Sequence, residues 1–547
     1  MDKIHPIILK ILNNRGITEE ADILEFLSEK PSLTYDPFLL KNMKAGVDLI
    51  LSSIKLNKKI CIYGDYDADG VTSISLLFQI LSHLTQKITY YIPSRFDEGY
   101  GLNKDAIDLI KKNGTELIIT VDCGSVSYDE VEHAKKIGMD IIVTDHHNIN
   151  DKPADCILIN PKQQDCSYPF KQLAGCGVAF KLAQGIQRST NLSKTVLTEV
   201  LDLVAIGTVG DIVPLIDENR TLVKYGMNII HENKRLGLNQ LIKEVGLVKG
   251  NIISENIAYS IVPHLNAAGR ILDARTGVEL LTSFDKDKIS AGVGLLIENN
   301  TERRRIQEET FIKCKEIVTL NLRNDLFLVI DAKDGHEGIA GIVAGKIKDE
   351  FGKPTIIVTN TSGEGYLKGT GRSIDGINLF DILQRYKELF IKFGGHAGAC
   401  GFLMKADMLE ELRSCLNKEV EKIYQDNPNL FHHSLPIDVT IFDHELDMDL
   451  VVGLEKLGPF GCQNEKPLFL MKAITPTDVL YMGHSKQHAK FIGTGDRSKG
   501  FSCVLFNKAQ NYMDILQEGK KMDIMGYPDI NIWNGNSKIQ FVLKDIK

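Results

Sequence analysis

The stretch that decides the fold is "CIYGDYDADGVTS", from Cys61 to Ser73. Three aspartates, Asp65, Asp67 and Asp69, stand between a short apolar run that favours a β-strand and a segment with helical spacing. Carboxylates packed this closely repel one another unless a charge of opposite sign offsets them. The stretch therefore predicts a strand and a helix joined by an acidic turn, and it raises the question of what that turn holds.

The rest of the N-terminal half alternates strand-like and helix-like segments. Apolar, β-prone runs lie in "ITYYIP" (88–93), "TELIITVDCGS" (115–125), "GMDIIVTDHHN" (138–148) and "ADCILINP" (154–161). Helical spacing occurs between them in "KDAIDLIKKNG" (104–114) and "YDEVEHAKKIG" (128–138). Strands that alternate with helices form a parallel sheet covered on both faces, so this pattern predicts an α/β domain.

Further features divide the remainder of the chain. The polar segment "LIENNTERRRIQEETFIKCKEIV" (296–318) favours a charged helix between two domains. Beyond it, β/α alternation restarts and closes near "KFGGHAGACGF" (392–402), and from about Leu435 short strands and turns are typical of a small β-barrel. We therefore predict an N-terminal helical segment (1–45), a parallel-sheet domain (46–295), a linking helix (296–320), a smaller α/β domain (321–428) and a barrel (429–547).

Composition limits the class of protein. The 547 residues are 43% hydrophobic and 25% charged, as in soluble globular proteins, which at this length have about two to four domains. The first thirty residues lack the pattern of a signal peptide, no apolar run is long enough to span a membrane, and the ten cysteines form no CxxC pair. We therefore expect a cytoplasmic protein with no membrane partner, disulfide or zinc site. The net charge of −8 argues only weakly against a nucleic-acid partner, because a local basic groove does not show in the total.

Acidic side chains and imidazoles follow three of the predicted strands. The aspartates of the opening stretch follow the first strand, Asp122 follows another, and Asp145, His146 and His147 follow a third. A further acid, Asp211, lies in a helical or turn region. Because ligands bind beyond the carboxyl ends of parallel strands, we expect these groups at one edge of the sheet. A single aspartate in such a place is usually a cap or turn residue, but the convergence of several favours metal binding.

The types of ligand select the metal and the chemistry. Several carboxylates, one or two imidazoles and no thiolate suit Mn²⁺ or Mg²⁺, and the imidazoles favour Mn²⁺. Two such ions a few ångströms apart activate a water and stabilise the leaving oxygen of a phosphate ester. The residues therefore indicate hydrolysis of a phosphoester.

The motifs resemble those of a known superfamily. "GDYDADG", "DCG", "DHH" and "GDIVPL" are similar, in order and spacing, to the four motifs of the DHH phosphoesterases, and "GGHAGACGF" resembles the glycine-histidine signature of the DHHA1 domain. "IPSRFDEGYGLN", "HLNAAGR", "LGPFGCQNEKP" and "IWNGNSKIQ" resemble segments of the RecJ family of exonucleases, and this likeness runs over nearly the whole chain. The resemblance implies an α/β fold: a parallel-sheet DHH domain joined by a long helix to a smaller α/β DHHA1 domain, plus a C-terminal OB-like β-barrel.

The resemblance also implies a set of ligands for two ions. One ion is matched by Asp69, Asp122, His146 and Asp211. Asp67 matches a ligand that bridges the ions or binds the second one, and His147 matches a histidine that orients a ligand or contacts phosphate. Asp65 is expected behind the ligands, with direct coordination as the alternative. Wider relatives often have a histidine at the position of Tyr63, so we expect the second ion to bind weakly or only with substrate.

Contacts with phosphate and nucleic acid follow from the same resemblance. Arg372 and His396 match residues that contact phosphate and, with His147, form the expected catalytic group. The expected nucleic-acid contacts are Arg95, Phe96, Tyr100, Asn266, Arg270, Gly394 and Gly395. Without the resemblance each has a plainer interpretation: a turn for the glycines, a surface arginine, a packed loop after the strand, and the end of a helix for "HLNAAGR".

The barrel region carries local positive charge. Between Gly483 and Lys521, seven Lys or Arg face three Asp or Glu. Such a surface suits a single nucleic-acid strand, although a charged run is more often only a solvated face. Phe491, Phe501 and Phe506 are either stacking platforms or, at strand spacing, part of the barrel core.

The expected function is that of a metal-dependent exonuclease on single-stranded DNA in repair and recombination. The resemblance alone implies 5′→3′ polarity, release of 5′-mononucleotides, a monomer, and a single-strand-binding protein and a repair helicase as partners. Two alternatives stay open: a DHH phosphodiesterase for cyclic dinucleotides or short oligonucleotides, which would not need the barrel, and a non-catalytic scaffold with the same fold. The choice between DNA and RNA is also open, because a contact to the 2′-OH cannot be seen in the sequence.

Overall fold

The computed structural model describes residues 4–95, 98–149, 152–232, 234–271, 273–361, 365–431, 435–495, 500–533 and 536–547. Contacts along the chain divide it into two units. The first comprises Met1–Val262, Val278–Ile289 and Pro436–Lys547, and the second comprises Pro263–Gly277 and Ser290–Leu435. No helix within these described segments is long and apolar enough to cross a membrane.

Five parallel strands form the sheet of the first unit, in the order β2-β1-β3-β4-β5. The strands are β1 (Ile60–Gly64), β2 (Ile88–Tyr91), β3 (Leu117–Val121), β4 (Asp140–Thr144) and β5 (Ile157–Ile159). β1 and β3 are buried along their whole length, as strands covered on both faces must be. The strand order reverses between β1 and β3, and ligands bind in the crevice at such a reversal. The predicted parallel sheet is confirmed, and its switch point lies where the acidic motifs follow the strands.

Helices cover this sheet and extend the first unit. They are α1 (Pro6–Asn14), α2 (Glu20–Leu27), α3 (Met43–Lys55), α4 (Ala68–Ser82), α5 (Lys104–Lys112), α6 (Tyr128–Lys136), α7 (Gly175–Arg188), α8 (Thr195–Thr198), α9 (Leu201–Gly210), α10 (Asp217–Glu232), α11 (Leu236–Glu244) and α12 (Ser254–Asn256), followed by a π-helical turn (Ile257–Ile261). The central one is α4, which packs against α7 and α9 and is buried on nearly every side. Asp67 Oδ1 caps it by accepting hydrogen bonds from Asp69 N at 2.9 Å and Gly70 N at 3.0 Å. The acidic turn of the opening stretch is therefore the N-terminus of the central helix.

The chain passes between the units at four points, and three of them lie within helices: α13 (Val262–Ile271), α14 (Arg275–Thr282) and α15 (Lys286–Asn321). The long polar helix predicted from residue 296 is α15, which has 36 residues and starts earlier, at Lys286. Its polar surface carries ion pairs one turn apart, such as those of Arg305 with Glu302 and Glu309. Residues 289–296 are mostly small or apolar, so charge composition marked only the later part of the helix.

The second unit holds a mixed sheet in the order β6-β7-β8-β10-β9. Its strands are β6 (Leu328–Asp331), β7 (Thr355–Asn360), β8 (Tyr366–Arg372), β9 (Phe390–His396) and β10 (Ala399–Lys405), and its other helices are α16 (Glu337–Phe351), α17 (Leu379–Gln384) and α18 (Leu409–Asp426). β6 and β7 run parallel, and the other neighbours are antiparallel. The hairpin of β9 and β10 carries the "GGH" motif at its turn. This unit contains the smaller α/β fold that the sequence predicts.

A closed barrel forms the C-terminal part of the first unit. Its elements are β11 (Val439–Thr440), α19 (Met448–Glu455), β12 (Phe469–Met482), β13 (His488–Thr494), β14 (Phe501–Leu505), β15 (Met522–Trp533) and β16 (Asn536–Ile546). The strands β12, β13, β14, β16 and β15 pair in that order, and β15 pairs again with β12. A five-stranded closed barrel of this kind is an OB-fold, which confirms the prediction.

Closure of the barrel separates the three phenylalanines of the basic region. Phe491 is 1% exposed in the core, and the ring of Phe501 packs edge-on against Phe541 at a centroid distance of 6.3 Å. Phe506 is 50% exposed. The core interpretation is therefore correct for Phe491 and Phe501, whereas Phe506 stays a candidate for stacking on bases.

A buried arginine joins three segments of the first unit. Arg220 on α10 is 4% exposed, and its Nη1 donates to Leu457 O at 2.9 Å, while its Nη2 donates to Phe26 O at 2.9 Å and Lys456 O at 3.2 Å. The guanidinium carbon also lies 3.8 Å from the centre of the Phe26 ring. One side chain thus holds the helical layer beside the parallel sheet, the N-terminal segment and the residues that follow α19.

We expect Arg220→Ala to destabilise the first unit by about 3 kcal/mol, because three carbonyl oxygens lose a charged donor and the aromatic contact is lost. Urea denaturation followed by circular dichroism measures the change. The control is Arg305→Ala, which removes exposed ion pairs from α15 and should cost far less stability than Arg220→Ala, because water screens those pairs. Equal effects of the two substitutions would mean that the buried arginine contributes no more than a surface pair.

Candidate metal centre

Side chains that follow β1, β3 and β4 meet at the carboxyl edge of the parallel sheet. His146 Nε2 lies 3.1 Å from Asp122 Oδ1, 3.5 Å from Asp211 Oδ2 and 4.0 Å from Asp69 Oδ2. Asp69 and Asp122 are buried, and Asp211, which ends α9, is partly exposed. The structure therefore brings together all four residues that the sequence predicts as ligands of one ion.

A second group of candidate ligands lies beside the first. Carboxylate oxygens of Asp65, Asp67 and Asp122 lie within 4.8 Å of one another. Asp122 belongs to both groups, so its carboxylate connects them. Asp65, expected behind the ligands, offers an oxygen to this second group.

Several buried atoms of these groups have no hydrogen-bond partner among the described residues: Asp65 Oδ1, Asp122 Oδ1 and His146 Nε2. His146 Nε2 and Asp122 Oδ1 are 3.1 Å apart, but their geometry is not that of a hydrogen bond. A buried acceptor without a donor is costly, and a cation shared by several acceptors removes that cost. Carboxylate oxygens with one imidazole and no thiolate fit Mn²⁺ or Mg²⁺. The residues present therefore fit the metal that the sequence predicts.

The crowding of negative charge shifts the pKa values of the cluster. Burial, and then the neighbouring carboxylates, raise the pKa of Asp69 to about 6 and that of Asp211 to about 8. The same causes raise the pKa of Asp122 well above its usual range. Burial and the neighbouring His147 lower the pKa of His146 to about 3, so its ring is neutral, as a metal ligand must be. Without a cation the cluster therefore holds protons on its carboxyl groups at neutral pH.

Asp145 orients the second histidine of the motif. Its Oδ1 accepts hydrogen bonds from His147 Nδ1 at 2.8 Å and His146 N at 2.7 Å, and its Oδ2 accepts one from Ser125 N at 2.9 Å. Although partial burial opposes charge on the ring, the bond to Asp145 raises the pKa of His147 to about 9. Sequence reasoning placed Asp145 at this edge and assigned it no role. Its oxygens are engaged by these donors, so it fixes the ring of His147.

The amino end of α7 holds Asp69. Gly175 N donates to Asp69 Oδ2 at 2.7 Å, and Cys176 N donates to Asp69 Oδ1 at 2.9 Å. Gly175 also lies against Asp122, because a Cβ atom at this position would be 2.6 Å from Asp122 Oδ1. Glycine is therefore needed for α7 to approach the carboxylates this closely. Sequence reasoning missed this contact, and the glycines of "GCGVAF" were the only sign of it.

Two tyrosines border the centre in different ways. Tyr63 is buried, and its hydroxyl donates to Gly101 O at 3.0 Å, so that hydroxyl is engaged outside the two ligand groups. Tyr100 is 54% exposed, and its hydroxyl lies 3.4 Å from Asp122 O and 3.2 Å from His147 Nδ1. Tyr100, predicted to contact nucleic acid, therefore lies at the mouth of the centre.

The other predicted contacts of the first unit lie in the loop after β2. Arg95 Cζ lies 5.1 Å from the centre of the Tyr66 ring, within the acidic turn. Phe96 lies outside the described residues. The structure thus brings Arg95 beside the opening stretch.

The remaining predicted residues lie in the second unit. Arg372 and His396 end β8 and β9, the two strands that flank β10, and burial and the charge of Arg372 lower the pKa of His396. Arg270 Nη1 donates to Gly338 O, in the first turn of α16, at 2.8 Å. A Cβ atom at Gly341 of α16 would lie 3.1 Å from Arg372 Nη2. Basic side chains therefore gather near the amino end of α16, which itself favours anions. The structure places Gly394 and Gly395 on β9 and Asn266 on α13.

Family models and known proteins match the chain over its length. The models are those of the DHH family N-terminal domain (59–208), the DHHA1 domain (324–422) and the RecJ OB domain (437–545). The single-stranded-DNA-specific exonuclease RecJ of Bacillus subtilis (strain 168) is 37% identical over 546 residues, which are 99% of this chain and 68% of that protein. The protein of the same name from Escherichia coli (strain K12) is 32% identical over an alignment of 570 positions, which covers 100% of this chain and 96% of that protein.

Solved structures share the fold. The crystal structure of RecJ in complex with Mn²⁺ from Thermus thermophilus has a TM-score of 0.84 at 25% identity and covers 100% of this chain and 76% of that chain. A crystal structure of exonuclease RecJ bound to manganese has a TM-score of 0.61 at 29% identity and covers 70% of this chain and 95% of that chain. Manganese, which both of those proteins hold, is one of the two metals that the donors of this chain fit.

Binding of Mn²⁺ should release protons, because Asp211, with a pKa of about 8, is mostly protonated at pH 7 and must ionise to become a ligand. The affinity should therefore rise between pH 6 and pH 8, by up to about tenfold per pH unit for each proton displaced. Calorimetric titration in two buffers with different heats of ionisation measures the protons released. Asp211→Asn is the control and should release fewer protons. Equal heats in both buffers would contradict the proton count.

Gly175→Ala should weaken Mn²⁺ binding by at least about tenfold, because the new methyl group would displace the carboxylate of Asp122 or move α7 away from Asp69. The matched control is Gly177→Ala on the same helix, where a Cβ atom would approach only the Leu173 side chain, at 3.3 Å. Calorimetry gives the affinity, and a thermal melt verifies that both variants fold. An unchanged affinity in Gly175→Ala would show that the glycine is not needed at this contact.

Proposed function

Because this chain belongs to the RecJ family of single-stranded-DNA-specific exonucleases, we propose that it hydrolyses single-stranded DNA from an end, with Mn²⁺ or Mg²⁺ as cofactor. The observation that carries the proposal is the position of Asp122, a buried carboxylate that belongs to two groups of candidate ligands at the switch point of the sheet. Two ions bound in this way supply an activated water and neutralise the charge that develops during in-line displacement at phosphorus.

The proposal includes two ions per site. The first would be held by Asp69, Asp122, His146 and Asp211, and the second by Asp65, Asp67 and Asp122. The second group contains no imidazole among the described residues, since Tyr63 stands where wider relatives have a histidine. We therefore expect the second ion to bind more weakly than the first.

Three side chains would hold the phosphate. His147 is 45% exposed and its Nδ1 is bonded to Asp145, and in this proposal its ring would donate a hydrogen bond to a phosphate oxygen at the mouth of the centre. Arg372 and His396 would add a guanidinium and an imidazole to offset charge on the phosphate. Removal of any of the three is expected to slow hydrolysis while leaving the metal ligands in place.

The strand itself would contact several cationic, aromatic and glycine residues. These are Arg95, Tyr100, Asn266, Arg270, Gly394 and Gly395, together with the barrel. Cationic and aromatic side chains bind unpaired bases without reading their sequence. The closed barrel, an architecture used for single strands, supports a long substrate.

Finer features of the proposal rest on the family resemblance. They are 5′→3′ polarity, release of 5′-mononucleotides, a role in DNA repair and recombination, a cytoplasmic location, a monomeric state, and a single-strand-binding protein and a repair helicase as partners. The division into domains at residues 45, 295, 320 and 428 is part of the same proposal.

Both alternatives have less support. An enzyme for cyclic dinucleotides or short oligonucleotides does not need a closed barrel, and this chain has one. A scaffold without activity does not need buried acceptors that converge without donors.

The test uses purified protein, Mn²⁺ and a long DNA oligonucleotide labelled at either end, either single-stranded or in a blunt duplex. We expect early release of a labelled mononucleotide from the 5′ end of the single strand and no release from the duplex. Asp122→Asn should lower the rate by at least about a thousandfold, because both ligand groups lose a carboxylate. Asparagine tolerates the positive φ of residue 122, so the backbone is preserved.

The control for this substitution is Asp165→Asn, at an exposed residue that pairs with Lys41, and it should keep the full rate. A single strand that remains intact would argue against the proposal and make dinucleotides the next substrates to test. If dinucleotides also survived, the scaffold would be the better interpretation.

A further inference from the structure

Ile212 adopts a backbone conformation that isoleucine normally avoids. It follows Asp211, the residue that ends α9, and its φ is +61°. Positive φ is common for glycine and tolerated by asparagine and aspartate, but for a β-branched side chain it is a genuine outlier. Among the non-glycine residues of the described chain with positive φ, Ile212 is the one β-branched residue.

The side chain of Ile212 is also exposed. Its exposed fraction is 73%, so it gains little from burial in the folded chain. A glycine or asparagine after the end of α9 would relieve the backbone strain and would remove an apolar group from water. Folding therefore does not account for isoleucine at this position, and strain of this kind is retained where it serves a function.

The location of Ile212 indicates what it serves. The carboxylate of its neighbour Asp211 lies 3.5 Å from His146 Nε2, so Ile212 stands directly beside the first ligand group. Tyr100, which is also exposed, reaches the same centre from another segment and contacts His147. An exposed tyrosine at the centre and an exposed isoleucine next to a candidate ligand in the chain thus offer apolar surface near the place where a phosphate would bind. A phosphodiester in that place carries nucleosides, whose sugar and base offer apolar surface.

We propose that Ile212 is a substrate-contact residue that packs against the terminal nucleoside of the strand. The inference rests on the proposed function and deepens it. An isoleucine side chain forms no hydrogen bonds, so it binds any nucleoside without reading the base, as a nuclease that accepts all sequences requires. The side chain is exposed in the free protein, so a bound strand can cover it.

The experiment measures three properties of the full-length protein and its variants. They are the thermal midpoint, the Mn²⁺ affinity by calorimetry, and the affinity for a single strand whose 5′ linkages are phosphorothioates that resist cleavage. The strand is used with a normal terminal nucleoside and with a three-carbon spacer in its place. The variants are Ile212→Gly, Ile212→Ala and Ile212→Val, and the control is Asn57→Gly, another left-handed position, which lies before β1 at the other end of the strand.

Ile212→Gly should raise the thermal midpoint, leave the Mn²⁺ affinity unchanged and weaken binding of the normal strand by about tenfold. With the spacer strand the loss should fall below about twofold, because the contact is already absent. Ile212→Ala should weaken binding as much without raising the midpoint to the same extent, since alanine keeps the strain. Ile212→Val should stay within about threefold of the wild type, and Asn57→Gly should bind both strands normally.

Three results would overturn the inference. The first is unchanged strand affinity in Ile212→Gly, and the second is an equal loss of affinity for the spacer strand. The third is a parallel loss of Mn²⁺ affinity, which would mean that the substitution acts through Asp211. A lowered midpoint in Ile212→Gly would likewise mean that the side chain serves folding. If the wild type neither binds nor cleaves single strands, the proposed function fails, and that result is distinct from all of these.

Discussion

The structure depends on the repulsion among buried carboxylates at the carboxyl edge of one parallel sheet. No single strand end creates this crowding, because β1, β3 and α9 each deliver at least one aspartate to the same place. Two helices meet the cluster with their amino ends: α4, which is capped by Asp67, and α7, which donates two backbone N–H groups to Asp69. The partial positive charge of a helix N-terminus offsets part of the repulsion, and the buried acceptors that remain without donors need a cation.

This constraint extends into the packing of the helices around the cluster. A Cβ atom at Gly70 would lie 2.4 Å from Asp65 O, and one at Gly207 would lie 2.7 Å from Asp69 Oδ1. With Gly175 against Asp122, glycines on three helices leave room for two of the carboxylates and for the backbone of the acidic turn. Glycine in a helix lowers the stability of that helix, so at these positions close approach to the acidic residues takes precedence over helix stability.

Sequence reasoning predicted the parts of the fold that are written in local patterns. Buried strands appear as apolar runs, and ligands such as Asp122 and His146 stand directly after them, so both the sheet and the first ligand group could be predicted. The bond from Gly175 to Asp69 joins residues 106 positions apart, and no local pattern specifies it. Phe491 and Phe506 both lie in β-prone segments, so the sequence does not distinguish them. Only closure of the barrel buries Phe491 in the core and leaves Phe506 exposed.

Two left-handed residues stand at the metal centre, and they differ in what explains them. Asp122, at φ +59°, tolerates this conformation as aspartate does, and the conformation places its carboxylate in both ligand groups. Ile212, at φ +61°, has no such tolerance and no carboxylate to place. In both cases the left-handed backbone is set before any ligand arrives, so less backbone freedom is lost on binding. By our inference, a left-handed backbone therefore favours binding of a cation at Asp122 and of a nucleoside at Ile212. The stability lost to these backbone conformations is offset by tighter binding of the ligands.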